Sequence, residues 1–237
     1  MELKTIANIR TDFPAKFGLP RQSGIVENLN GTIVFEPEYR HPEALRGLEG
    51  YSHLWLIWGF SENFVSARNA EESGWSPTVR PPRLGGNKRV GVFSTRSPNR
   101  PNKIGLSCVR LMSVDYEGED GPVIHVSGID MMDGTPIYDI KPYLPFADSH
   151  PDAAGGFAAE HLDDNLSVEF PEELLEIIPA EKQDALIKVL EQDPRPSYHH
   201  DDQREYGFEY AGFEVKFTVS GTTVKVHGVI KKQDTVR

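Results

Sequence analysis

Four stretches of the chain combine charged or hydrogen-bonding side chains with glycine and proline, a pairing that holds donors and acceptors on a restrained backbone. The first, residues 17–24 (FGLPRQSG), places Arg21 and Gln22 between Pro20 and Gly24. The second, residues 80–87 (RPPRLGGN), carries Arg80 and Arg83 and runs into Lys88 and Arg89. In the third, residues 94–105, Arg96, Arg100 and Lys103 fall within eight residues, with Pro98 and Pro101 limiting the backbone. The fourth, residues 130–143, holds Asp130, Asp133, Tyr138, Asp139, Lys141 and Tyr143. Guanidinium and ammonium groups bind anions, while carboxylates, phenols and amines accept or move protons. Each stretch alone is also what a loop between strands looks like. Three arginine-bearing rigid loops and one Asp/Lys/Tyr-rich stretch together point to a site within residues 1–145.

Familiar alternatives fail residue by residue. The chain has no glycine-rich loop ending in Gly-Lys-Ser/Thr, no Gly-x-Gly-x-x-Gly after a strand, and no His-Glu-x-x-His. His199 and His200 beside Asp201 and Asp202 are poorly spaced to converge on one ion, and no metal is expected. One cysteine, Cys108, excludes an internal disulfide and a multi-cysteine zinc site. It lies in an apolar strand-like run and reads as a core residue, not a nucleophile. Trp55, Trp58 and Phe60 read as core packing.

The formal net charge of −11 conceals an asymmetry: residues 80–110 hold eight Lys or Arg and no Asp or Glu, whereas residues 148–184 hold eleven Asp or Glu and a single Lys. One basic face on an acidic protein is compatible with binding a polyanion. The longest apolar run, Leu54 to Phe60, has seven residues, far short of the roughly 20 needed to cross a bilayer. The opening residues contain no long apolar segment, so a cytoplasmic protein is expected.

The elements that must position these groups are mostly strands. Candidates are Thr5–Ile9, Gly31–Phe35, His53–Phe60, Arg89–Thr95, Gly105–Tyr116 and Val123–Ile129, separated by turn residues such as Asn30-Gly31 and Asp133-Gly134. A short helix is expected after Pro42. Many short strands without long intervening helices imply a β-barrel or sandwich, not a doubly wound α/β sheet. Helical spacing enters only with Glu172–Ile178 and Ala180–Gln192. Alternating Phe213, Val215, Phe217 and Val219 then lead into strands near 206–219 and 223–231, read as a hairpin that must pack on other elements. The expected organisation is mainly β: a barrel domain over 1–147, a linker over 148–167 and a small α+β domain over 168–237.

The four motifs, with GVFSTRSPNRPNKIGLS at 91–107 and DMMDGTPIYDIKPYLPFA at 130–147, resemble the TsaA-like (TrmO-type) family closely over about residues 3–160. The likeness continues more weakly through EQDPRPSY at 191–198 and the final strands. The resemblance implies a compact single-sheeted barrel that binds S-adenosylmethionine (SAM) without a Rossmann fold, a homodimer, and methylation of N6-threonylcarbamoyladenosine beside the anticodon of tRNA, with threonine tRNA as the expected substrate. By motif, the cofactor positions would be Ser23, Gly24, Ile25, Ser61, Glu62, Arg96, Leu106, Ser127, Gly128, Ile129 and Asp130. Candidates for accepting or orienting the N–H proton are Asp139 and Tyr143, with Lys141 for charge on the urea oxygen or the threonyl carboxylate. Contacts to tRNA would come from Arg80, Arg83, Lys88, Arg89, Arg100, Lys103 and Arg195, with Tyr198 nearby. Two other readings stay open: a non-catalytic SAM- or nucleotide-binding module acting through a protein partner at the acidic 148–184 surface, and a methyltransferase with a different target.

Overall fold

A computed structural model describes residues 2–60, 75–81, 84, 88–161, 165–195 and 204–232. In chain order the strands of the first part are β1 (Ala7–Thr11), β2 (Asn30–Phe35), β3 (His53–Gly59), the two-residue β4 (Thr78–Val79) and β5 (Val90–Gly91), β6 (Ile104–Asp115), β7 (Val123–Ser127) and β8 (Thr135–Pro142). Six of them close into a barrel in the order β1-β2-β7-β6-β3-β8, and β8 returns to β1. Every barrel pairing is antiparallel.

Alternation sets the barrel's two faces. Leu54, Leu56 and Trp58 point inward and are buried, as are Ile9, Ile33, Val109, Ile124, Val126 and Ile137. Closure removes the sheet edges. It also sorts the connections: the β1–β2, β3–β6 and β7–β8 segments all leave from one end, here called the mouth. These segments contain residues 17–24, 80–103 and 130–134, so motifs scattered along the sequence are gathered by topology.

Several expected boundaries change. The run Arg89–Thr95 is not a barrel strand; only Val90–Gly91 is extended, paired with β4, and residues 92–94 turn as a 3-10 helix. Residues 130–143, read as a polar loop, are mostly strand β8. Tyr138 and Asp139 sit half-buried and Lys141 exposed, while Thr135 is buried, and strands β1 and β3 satisfy its backbone. The first strand begins at Ala7 rather than Thr5, and the helix after Pro42 is two 3-10 turns, 42–45 and 48–50. Trp55 points outward, where its indole donates to Asp148 at 3.1 Å.

The second part comprises α1 (Pro145–Asp148), β9 (Ser167–Glu169), α2 (Glu172–Leu175), α3 (Ala180–Glu191), β10 (Tyr206–Tyr210), β11 (Phe213–Ser220) and β12 (Thr223–Lys231). Instead of a hairpin there is a four-stranded sheet, β10-β11-β12-β9, with β9 parallel to β12. The expected strand 206–219 is broken by a two-residue turn in which Ala211 and Gly212 both have positive φ, 50° and 81°. The buried alternation changes phase across it, from Tyr206, Phe208 and Tyr210 to Phe213, Val215 and Phe217.

The sheet does pack on other elements, as a hairpin's marginal stability requires. Phe13 lies 5.1 Å from Tyr210 and Phe17 lies 6.3 Å from Phe208, ring centre to ring centre. Leu186, Val189 and Leu190 of α3 join the same continuous core. Gly18 lies flat against Phe208; a Cβ there would fall 2.6 Å from the ring. The Ala211 amide donates to the Asp12 carbonyl at 2.9 Å, and the Lys182 ammonium pairs with the Asp12 carboxylate. The 17–24 loop is therefore clamped from below by the second sheet.

Candidate active site

At the mouth, residues 20–24 and 127–130 meet backbone to backbone. The Gly24 amide donates to the Gly128 carbonyl at 2.9 Å, and both glycines have positive φ, 78° and 75°. The Leu29 carbonyl in turn accepts from the amides of Gly128 (2.9 Å) and Ile129 (3.4 Å). Ser23 and Ile25 flank this contact half-buried, while Ile129 is buried below it.

Asp130 follows, with its carboxylate accepting from the Ser107 hydroxyl at 2.6 Å. Ser107 accepts from the Trp58 indole at 2.9 Å. Burial pushes the Asp130 carboxyl up from the ordinary carboxylate value; the Ser107 bond, the backbone of Ser23 and of Asp130 itself, and the positive field of Arg96 pull the other way.

Arg96 is exposed. Its guanidinium donates to the Gln22 Oε1 at 2.6 Å, which ties the 92–103 loop to the 17–24 loop. Ser23, Gly24, Ile25, Arg96, Gly128, Ile129 and Asp130 are thus brought together. Ser61 and Glu62 lie outside the described residues.

Leu106, Ser127, Asp139, Lys141 and Tyr143 belong to the adjoining outer wall of the barrel. Register aligns them in rows: Leu106, Ile57 and Asp139 in one, Cys108, Trp55 and Lys141 in the next. Leu106 and Asp139 are two strands apart, about 10 Å. Lys141 and Asp139 form an ion pair at 2.9 Å. Tyr143 donates its amide to the His53 carbonyl at 3.0 Å, and its ring lies 5.9 Å from that of Trp55. Arg110, opposite both His53 and Ser127, is an exposed cation in the middle of this wall that motif reading left unassigned. Its charge was visible in the sequence; its position depends on the register. Cys108 is half-buried, and burial plus the nearby Asp148 charge push its thiol up, so it is not an activated nucleophile.

The basic positions divide into two groups. Arg80, Lys88 and Arg89 are exposed and Lys103 is half-buried. Arg89 also donates to the Thr78 hydroxyl at 2.8 Å, which fixes its direction. Arg100 instead turns back on its own loop, donating from Nε to the Ser97 carbonyl at 2.8 Å and from Nη2 to the Thr95 carbonyl. Arg195 grips both carboxylate oxygens of Asp193 at 2.8 and 3.0 Å, and its side chain is 13% exposed. Arg83, Tyr198 and the run His199 to Asp202 lie outside the described residues. Open surface grooves of about 690 Å³ (residues 2–5 and 36–39) and about 450 Å³ (169–171 and 225–226) touch none of these groups. Converging polar groups, not cavity volume, mark the site.

A closed antiparallel barrel with carboxylate, guanidinium and paired glycines at one mouth, beside a basic rim, defines a β-barrel ligand-binding protein of non-Rossmann type. The comparisons narrow the class. The family described as "tRNA-methyltransferase O N-terminal domain" matches residues 8–149, and "TrmO C-terminal domain" matches residues 163–232. The chain belongs to the tRNA-methyltransferase O family. It is 39% identical over 233 residues to the tRNA (adenine(37)-N6)-methyltransferase of Escherichia coli K12, covering 95% of this chain and 96% of that one. It is 40% identical over 210 residues to a putative S-adenosylmethionine-dependent methyltransferase, RcsF, of Pseudomonas aeruginosa, covering 85% of each. The crystal structure of TrmO from Pseudomonas aeruginosa superposes with a TM-score of 0.72 at 32% identity, over 97% of this chain and 98% of that one.

Proposed function

We propose that this chain transfers the methyl group of SAM to N6 of the adenine at position 37 of tRNA, as the name of its Escherichia coli relative describes. The observation that carries this reading is the convergence of Ser23–Ile25, Arg96 and Gly128–Asp130 at one mouth of a family barrel. Those groups fit SAM by their chemistry. A carboxylate at Asp130 can accept from hydroxyl or ammonium groups, the Arg96 guanidinium can pair with a carboxylate of SAM or of the substrate, and the backbone around Gly128 and Ile129 offers donors and acceptors that read adenine. Two glycines in contact let a ligand approach the backbone closely. Ser61 and Glu62 belong to the same proposed set. When bound, SAM supplies a methyl group already activated by its sulfonium.

The nucleophile we assign is N6-threonylcarbamoyladenosine in threonine tRNA. Its N6 is a urea-type nitrogen with a delocalised lone pair, so an acceptor for its proton lowers the barrier. We assign that role to Asp139 and Tyr143, a reading supported by their position on the outer wall in the rows that also hold Leu106 and Arg110. Lys141, paired with Asp139 at 2.9 Å, provides a cation for the urea oxygen or the threonyl carboxylate. Positioning supplies much of the rate. Arg80, Arg83, Lys88, Arg89 and Lys103 contact phosphates. Arg100 and Arg195 serve mainly as braces, because their guanidinium groups are already engaged.

The active form is a homodimer in the cytoplasm, with the 1–147 barrel and the 168–237 unit folded together. Ile104, Leu106 and Met112, exposed on the outer wall at 38%, 51% and 56%, support a second copy there. No metal takes part. Single-turnover transfer from methyl-labelled SAM tests the reading: label enters threonine tRNA carrying N6-threonylcarbamoyladenosine at position 37 and not the same tRNA carrying guanine there. Equal labelling of both would refute it.

A further inference from the structure

The barrel interior is apolar except where it reaches the mouth. There Trp58, the last inward residue of β3, is 5% exposed, and its indole N–H donates to the fully buried Ser107 at 2.9 Å. An indole N–H can only donate. The single proton of the Ser107 hydroxyl is therefore directed away, to the Asp130 carboxylate at 2.6 Å. Opposite Trp58 in register is Gly105, where a Cβ would lie 2.2 Å from the indole Cε2. The indole lies in the space left by the missing side chain. Glycine at 105, serine at 107 and tryptophan at 58 therefore form one unit.

Serine at 107 both accepts from the buried Trp58 indole, which alanine or valine would leave unpaired, and directs its one proton to Asp130. We infer that Ser107, aimed by Trp58 lying over Gly105, is a positioning residue that fixes the Asp130 carboxylate to receive a donor group of bound SAM. This rests on the reading of the mouth as the SAM site. The Ser107 bond also favours the ionised carboxyl against the burial that disfavours it, and Arg96, from the 92–103 loop, is the charged group that acts with it.

Calorimetric titration with SAM, across pH from the carboxylate range to neutral, tests this on wild type, Ser107→Ala, Asp130→Asn and the double variant. Ser107→Ala is expected to weaken SAM binding about tenfold, the size of one charge-assisted hydrogen bond. It should also move the acid limb of the binding profile to higher pH, because the carboxyl loses a stabilising donor. In the Asp130→Asn background the same change should cost no further affinity. A purely structural serine would instead give equal losses in both backgrounds and an unmoved acid limb, and that result would overturn the inference. If Ser107→Ala does not fold, Ser107→Cys, with a similar shape and only a weak S–H donor, is read by the same criteria. Failure of the site reading looks different: SAM affinity would then be unchanged in Asp130→Asn and Arg96→Ala alike. Loss in Asp130→Asn with full affinity in Ser107→Ala would sink the positioning role alone.

Discussion

Gly24 and Gly128 approach so closely that a Cβ on Gly128 would lie 3.4 Å from the Gly24 Cα, while the Gly24 amide holds the Gly128 carbonyl at 2.9 Å. Alanine at 128 would carry a left-handed backbone that costs about 1–2 kcal/mol and would press on the opposing loop. Gly128→Ala should lower the melting temperature by several degrees and weaken SAM binding. Gly47→Ala is the control: φ there is 86° with nothing within 4 Å, far from the mouth. It should cost similar stability and leave SAM affinity intact. Equal affinity in both variants would separate this glycine pair from the site.

Arg96 and Gln22 link two mouth loops. Arg96→Ala should reduce SAM affinity and single-turnover transfer by roughly ten- to a hundredfold, the range for losing a charged hydrogen-bond donor. Gln22→Ala, which frees the guanidinium without removing it, should cost less. Because Arg96 is exposed, both variants should melt near the wild-type temperature. Normal transfer in Arg96→Ala would remove it from the site.

The basic rim is testable by salt. With about 4–6 phosphate contacts, the log–log slope of tRNA affinity against salt should be several units despite the net charge of −11. Lys88→Ala and Arg80→Ala should each reduce that slope by about one and weaken binding evenly across tRNAs. Arg100→Ala should act mainly on loop order, seen as faster proteolysis between residues 92 and 103. A flat slope in the wild type would reduce the basic run to a solvated face.

Asp130 makes stability depend on pH in a stated direction. Its folded carboxyl titrates above the ordinary carboxylate value because burial disfavours the charge. In the window between the unfolded and the raised folded value, the native state binds more protons than the unfolded chain. Stability relative to Asp130→Asn is then highest below that window and falls as pH rises through it. Denaturant titrations of both proteins at a series of pH values measure the difference. A difference that grows with pH would reverse the assigned cause.

The seam between barrel and second sheet should make the chain unfold as a unit. Phe13 is fully buried between the two and meets Tyr210. Phe13→Ala should cost about 3–5 kcal/mol and destabilise both parts together, read as coincident loss of near- and far-ultraviolet dichroism. Two separated transitions would show that the units are independent.

Much of this was legible in the sequence. Turn-bounded strands announced a β-rich first part, helical spacing located α3, and the joined motifs identified the family and most of the mouth. What was missed has physical reasons. Strand β8 reads as a loop in the sequence because Asp139 and Lys141 occupy partly solvent-facing positions and few of its inward residues, such as Ile137, are apolar. The Ala211-Gly212 turn is masked because Tyr210-Ala211-Gly212-Phe213 carries no polar turn residue, and only the change of phase from Tyr210 to Phe213 marks it. Ser107 is an ordinary residue in an apolar segment until the closed barrel brings Trp58 and Asp130 to it. Arg100 and Arg195 read as free cations in the sequence, because only the loop conformation turns them onto their near neighbours, the Ser97 and Thr95 carbonyls and the Asp193 carboxylate.

The central claim is methyl transfer to N6 of a threonylcarbamoylated adenosine, and mass analysis of nucleosides tests it most directly. Purified protein would be incubated with SAM and threonine tRNA, prepared with and without the threonylcarbamoyl group, and the tRNA digested. The account expects the N6-threonylcarbamoyladenosine peak to move up by one methyl group, with adenosine in the unmodified tRNA left unchanged. Methylation of the unmodified adenosine to the same extent, or a methyl group on any other nucleoside, would contradict it.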